Sequence, residues 1–246
     1  MWTDEAIVLR TYNVGETDRF CVLFAERAGR IAARANGVRR LKSRRGAGLL
    51  PLHRIHFTYE LRSAGYNITA VACLDAHAPA WRDPHVFSCA HQGVELLLKL
   101  TEEGEPLPEI YVLTCAFLRA CRAPHPKHLV PIFTLKLLHL LGSLPSATHS
   151  SVSHLPFRAG ERLVVSPRSG GLSLQHEEVG GASISPELHA LLLRIPTIDL
   201  ADPTACPEAG LRDLGRYVQG LLGNQLGVVL ASPAVSLAMS SGVTPS

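Results

Sequence analysis

No aspartate or glutamate occurs between Arg27 and Tyr59. That stretch holds nine basic residues, Arg27, Arg30, Arg34, Arg39, Arg40, Lys42, Arg44, Arg45 and Arg54, which leaves 15 basic against 21 acidic residues elsewhere in a chain of formal charge +3. The charge is therefore segregated, and a near-neutral total conceals a local cationic field. Catalytic signatures are missing too: there is no G-x-S-x-G, no G-x-x-x-x-G-K-[ST], no H-E-x-x-H and no G-x-G-x-x-G after a strand. The expectation is a protein that is not an enzyme. None of the six cysteines (21, 73, 89, 115, 121, 206) forms a C-x-x-C pair, and most sit among apolar residues, which reads as reduced thiols packed in a cytosolic protein. The N-terminus carries no secretory signal pattern. The last thirty residues, after Arg216, carry no charged side chain, but Asn224, Gln225, several glycines and Pro233 interrupt them. They are read as a buried helix with a flexible tail, without a membrane role.

What is present divides the chain in two by pattern. Residues 5–75 contain five short runs rich in Val, Ile, Phe, Tyr and Thr, broken at Gly15, Gly29, Gly46, Gly48 and Gly65. Five short strands in that length predict a small closed barrel. In "HRIHFTYELR" the two-residue period puts Ile55, Phe57, Tyr59 and Leu61 on the core face, with Arg54, His56, Thr58 and Glu60 opposite. After "APAWRDP" the period changes. Asp83-Pro84 starts a helix that runs to the break at Gly104. "LPEIYVLTCAFLRACR" is a second helix, and "PKHLVPIFTLKLLHLLG" a third with Pro131 in its first turn. Their wide apolar faces require partners, so a bundle is expected. Residues 143–185 are rich in Ser, Gly and His around the hairpin "ERLVVSPRSGGLSLQ", and helices follow near 186–195 and 208–231. The fold class expected is α+β: a five-stranded OB-fold barrel at residues 1–80, a helical domain at 81–142 and 186–235, a small inserted β-hairpin segment at 143–185 and a flexible tail at 236–246.

Ordinary surfaces intersperse charges of both signs. Nine like charges with no acid between them destabilise the isolated fold, so a polyanion is the expected partner, and eight of the nine are arginine, which forks onto phosphate and stacks on bases. On a small barrel this predicts an oligonucleotide-binding groove with aromatic platforms. The predicted DNA contacts are Arg30, Arg34, Arg39, Arg40, Lys42, Arg44, Arg45 and Arg54, with Tyr12 and Tyr66 as stacking surfaces for bases and most barrel aromatics in the core by default. Gly37, Gly46 and Gly48 would let backbone approach the ligand closely. A competing reading is an interaction adaptor whose basic barrel grips an acidic peptide. Two H-x-x-H pairs, His53/His56 and His125/His128, are read as structural or solvent-exposed.

The segment "AIVLRTYNVGETDRFCVLFAERAGRIAARANGVRRLKSRRGAGLLPLHRIHFTY" resembles the opening of the RecO family of bacterial recombination mediators. The likeness is carried by a G-E-x-D turn (Gly15, Glu16, Asp18) and by the glycine-basic element of Gly37, Arg39, Arg40, Lys42, Ser43 and Arg44. The helical middle and "SPRSGG" (Ser166 to Gly171) follow the family's order. The resemblance implies binding of single- and double-stranded DNA and annealing of complementary strands in the cytoplasm, at the nucleoid. With RecR it implies help for RecA in displacing single-stranded-DNA-binding protein, whose acidic tail the family meets on the helical domain. The basic candidates there are Arg119, Arg122, Lys127 and Lys136.

Many relatives hold zinc with two C-x-x-C pairs, one before the hairpin and one after its Gly-Gly, whereas the matching stretches here, "SSVSHLP" and "GGLSLQHE", contain no cysteine. Zinc takes about four ligands, and the local supply is His149, His154 and His176 with Glu177 and Glu178. Two readings stand: a histidine-based zinc site, or a hairpin kept by packing after loss of the metal. The uncharged C-terminus also departs from relatives that end on a basic helix.

Overall fold

A computed structural model describes residues 1–40, 43, 45–77, 82–123, 127–202, 204–206, 208–225 and 227. Lys42, Arg44 and His125, together with the predicted tail, lie outside the described residues. The chain divides into two compact units, residues 1–125 and 126–246.

In the first unit, β1 (Trp2–Val14), β2 (Asp18–Ala25), β3 (Gly29–Ala35), β4 (Arg54–Arg62) and β5 (Gly65–Asp75) close a barrel in the order β1-β2-β3-β5-β4. All pairs are antiparallel except β3 with β5. The inward residues follow the two-residue period: Cys21, Leu23 and Ala25 from β2, Ile31, Ala33 and Ala35 from β3, Ile55, Phe57 and Tyr59 from β4. Alanines at this density leave room for the large aromatic rings opposite, as a narrow barrel requires. Leu61 breaks the expectation. It is 62% exposed because β4 runs past the end of the core into the turn at Gly65.

Strand β1 is buried on both faces at Ala6, Ile7, Val8 and Leu9, so its apolar run does not alternate. Helices α1 (Pro84–Leu100) and α2 (Pro108–Ala120) belong to this unit, and the Tyr111 hydroxyl of α2 donates to Glu5 of β1 at 3.4 Å. Asp83 caps α1 by accepting from the His85 amide at 2.8 Å, with Pro84 in the first turn, as the sequence predicts. The two helices cross closely at Gly93, where a Cβ would stand 2.2 Å from Phe117 Cε1. Arg122, after α2, donates to Asp75 and, at 2.8 Å, to His77 Nδ1 at the end of β5. Burial lowers the His77 pKa to about 4, which keeps the ring neutral and able to accept.

In the second unit, α3 (Leu129–Leu140) has Pro131 in its first turn, α4 (Pro186–Arg194) is capped by Ser185, and α5 (Glu208–Gly220) packs on both and ends in a π-helical turn at Leu221–Gln225. Between α3 and α4 lies a three-stranded sheet in the order β7-β6-β8, built from β6 (Leu163–Val165), β7 (Leu172–Leu174) and β8 (Ala182–Ser183). It contains the expected hairpin and adds one strand.

Candidate nucleic-acid interface

The described residues of the basic loop after β3 are tied to the barrel at several points. Val38 and Leu49 drop into the barrel core and anchor the backbone on either side of its basic residues. Asp18, at the start of β2, accepts the Gly37 amide at 2.8 Å and two bonds from Arg34 at 3.1 and 2.7 Å. The Gly37 amide, then the Thr17 hydroxyl, then Arg34 lower the Asp18 pKa to about 2. That gives the aspartate of the G-E-x-D turn a physical role: it fastens the cationic loop to the β1–β2 turn. Arg39 completes the seam, its amide bonding the Thr17 carbonyl and its Nη1 the Gly15 carbonyl at 3.0 Å. Arg19, absent from the predicted set, reaches the carbonyls of Gly46 and Leu49 at 3.1 and 2.7 Å. Arg45 donates to Thr69 and Asn36 carbonyls at 3.1 and 3.3 Å.

Most of these guanidiniums therefore rest on carbonyl oxygens. A carbonyl is a dipole and a carboxylate is a charge, so such a bond orients the side chain and leaves its charge uncompensated. Arg34 is the exception in this cluster, paired with Asp18, yet its side chain stays 49% exposed. Arg39 and Arg40 are exposed. On the barrel wall beside them, Tyr12 pairs across strands with Phe20, and Phe20 with Arg34. Tyr12 is 49% and Phe20 36% exposed, so two rings and a guanidinium form an outward row next to the loop.

Not every predicted contact joins this cluster. Arg30 sits about 13 Å along β3 from Arg34, and its Nη1 caps the C-terminal end of α1 by donating to the Leu98 carbonyl at 3.1 Å. Arg54 pairs with Glu5 at 3.2 Å. Tyr66 is half-buried and meets Tyr59 and Trp2 edge-on. Phe20, one of the aromatics expected in the core by default, is on the surface. Gly46 and Gly48 are required by the fold itself: a Cβ would fall 2.2 Å from the Val38 carbonyl at Gly46 and 2.9 Å from Val71 Cγ1 at Gly48.

Of the helical basic candidates, Lys136 donates to the Ile195, Pro196 and Ile198 carbonyls at 3.0, 3.1 and 2.8 Å. Burial also pulls its pKa below the usual lysine value. Arg122 is held by Asp75 and His77, Arg119 bonds its own helix at the Cys115 carbonyl, and Lys127 is exposed.

The three candidate zinc ligands are not brought together. His149 Nδ1 bonds the Thr148 hydroxyl at 2.9 Å, His154 and His176 are exposed, and Glu177 and Glu178 accept from Ser150 and Ser166. Among the described residues no three of His, Cys, Asp and Glu stand close enough to share a metal ion. No helix of the described residues is long and apolar enough to cross a membrane.

Residues 1–76 match the family described as Recombination protein O N terminal, and residues 82–233 the family described as Recombination protein O C terminal. Three similar proteins are each named DNA repair protein RecO. The one from Desulfitobacterium hafniense (strain Y51) is 30% identical over 179 residues, 73% of this chain and 65% of that protein, so the match spans just under two thirds of its length. The one from Nocardioides sp. is 31% identical over 215 residues, covering 83% and 87% of the two chains, and the one from Streptomyces avermitilis 30% over 234 residues, covering 90% and 93%. With both family models matched in order along a closed five-stranded barrel and a following helical region, the chain belongs to the RecO family.

Proposed function

We propose that this protein binds DNA, single- and double-stranded, through the loop and wall of its barrel, and anneals complementary strands without catalysing a covalent reaction. The observation that carries the reading is the set of guanidiniums held on backbone carbonyls, Arg39 and Arg45 above all, with the exposed Arg40 beside them. They are positioned before any ligand arrives, so phosphate binding spends little of its free energy ordering them. Neutralising phosphates releases condensed counterions and is blind to sequence. The Tyr12–Phe20 row offers bases a sequence-tolerant platform. Annealing follows from the same electrostatics: strand repulsion is the barrier to pairing, and a cationic surface that lowers it for two strands speeds their encounter.

Family membership supports a place in recombinational repair, acting with RecR to load RecA on strands coated by single-stranded-DNA-binding protein. Lys127 in the second unit or, separately, Arg119 in the first, both exposed, is the basic residue proposed for that protein's acidic tail. The test uses the full chain with R39E/R40E, measuring oligonucleotide anisotropy and annealing together. Both should fall while binding of the acidic tail peptide persists. Unchanged DNA binding and annealing would refute the reading, and displacement of a bare oligonucleotide by the peptide would favour the adaptor.

A further inference from the structure

Two four-residue turns in the inserted segment repeat one another bond for bond. In Ser150-Ser151-Val152-Ser153 the first hydroxyl accepts the amides of Val152 and Ser153 at 3.2 and 3.3 Å. In Ser166-Pro167-Arg168-Ser169 the first hydroxyl accepts the amides of Arg168 and Ser169 at 3.3 and 3.2 Å. The main chain repeats as well. The His154 amide bonds the Ser150 carbonyl at 3.0 Å, and the Gly170 amide the Ser166 carbonyl at 2.8 Å. The Ser150 amide returns to Leu155 at 2.9 Å and the Ser166 amide to Gly171 at 2.8 Å. The residue closing each turn is left-handed, His154 at φ +59° and Gly170 at φ +62°. His154, a candidate ligand by sequence, thus occupies the position where the other turn has glycine.

These are serine-capped turns, and the x-x spacing of Ser150/Ser153 and of Ser166/Ser169 is also that of a paired-ligand metal site. The turn matching the first one stands ahead of Gly170-Gly171, not after it. The two turns also adjoin: Ser169 donates to the Ser151 hydroxyl at 3.0 Å, Ser151 and Ser173 share a bond at 2.8 Å, and the Ser151 amide bonds the Leu172 carbonyl at 2.7 Å. A hydroxyl has one proton to give and two lone pairs to fill. Ser150 and Ser166, 1% and 2% exposed, each fill both lone pairs with turn amides and give the proton to a carboxylate, Ser150 to Glu177 and Ser166 to Glu178. No valence is left for an ion.

We infer that residues 143–185 form a metal-free knuckle pair, in which Ser150, Ser153, Ser166 and Ser169 stand at ligand positions and the consecutive carboxylates Glu177 and Glu178 each lock one turn in place of zinc. Glu177 also accepts the Leu174 amide at 3.1 Å, which ties the first turn to the end of β7. The inference is independent of the DNA-binding reading.

Amide hydrogen exchange and metal analysis on the full chain test it. Protection at Val152, Ser153, Arg168 and Ser169 should be the same with chelator or added zinc. S150A or S166A should speed exchange at the amides of its own turn roughly tenfold. The variant S150C/S153C/S166C/S169C should take up one zinc per chain with an all-sulfur shell. Stoichiometric zinc in the unaltered protein, with protection lost on chelation, would overturn the inference. So would unchanged exchange in S150A and S166A, or a folded four-cysteine variant that binds no zinc.

Discussion

Lys136 in the second unit and Arg39 in the first both set a cation against backbone carbonyls, and they come to different ends. The ammonium has three donors and spends them on three carbonyls in the stretch Ile195–Ile198, where burial lowers its pKa. The guanidinium has five donors, bonds one carbonyl at Gly15, and stays exposed. One cation closes the C-terminal end of a helical stretch; the other is oriented and still unsatisfied. What separates a structural cation from a binding cation is the number of donors left over, and a count of basic residues does not reveal it.

The largest effect that would break this contrast is on DNA affinity. R39E/R40E should weaken oligonucleotide binding about 100-fold at roughly 0.1 M salt, with stability lowered by no more than the loss of the one exposed Arg39–Gly15 hydrogen bond. K136M should do the reverse. Loss of its bonds is expected to cost about 1–3 kcal/mol of stability, read as a lower midpoint in urea, with DNA affinity within about twofold of the unaltered protein. If K136M weakened DNA binding as strongly as R39E/R40E, the distinction between the two cations would fall.

Smaller effects sharpen the site. F20A should reduce single-strand affinity by about tenfold, near the low end of base–aromatic stacking, and duplex affinity less. A loss equal on both substrates would remove Phe20 from the stacking row. The smallest effect is acid-dependent. The folded pKa of Asp18, about 2, lies below the ordinary 3.8, so the anchoring it provides is complete above about 4 and lost as pH falls toward 2. Exchange at the Gly37 amide should therefore accelerate only in that window, and D18N should abolish the pH dependence of that local opening.

The barrel was legible because alternation and glycine breaks mark its strands, and the start of α1 because Asp83-Pro84 is a cap with a mechanism. Phe20 was not legible. It lies in "RFCVLFA", where an unbroken apolar run conceals which face is inward, and only pairing with Tyr12 and Arg34 shows that it faces out. Leu61 misled in the opposite sense, since its alternation is right but the core ends before it. The charge segregation located the cationic loop, yet nothing in composition could show that Arg30 caps α1 or that Arg54 pairs with Glu5. The repeated serine turns are not legible in the sequence because a hydroxyl acquires this role only through backbone geometry.

The most direct test of the central claim is the slope of log affinity for a mixed-sequence single strand against log salt concentration, measured for the unaltered protein and for R39Q/R40Q. If the guanidiniums near Gly15 and Gly37 meet phosphates, the slope should become shallower by about 1.4, equally for unrelated sequences. An identical slope in the two proteins would contradict the account.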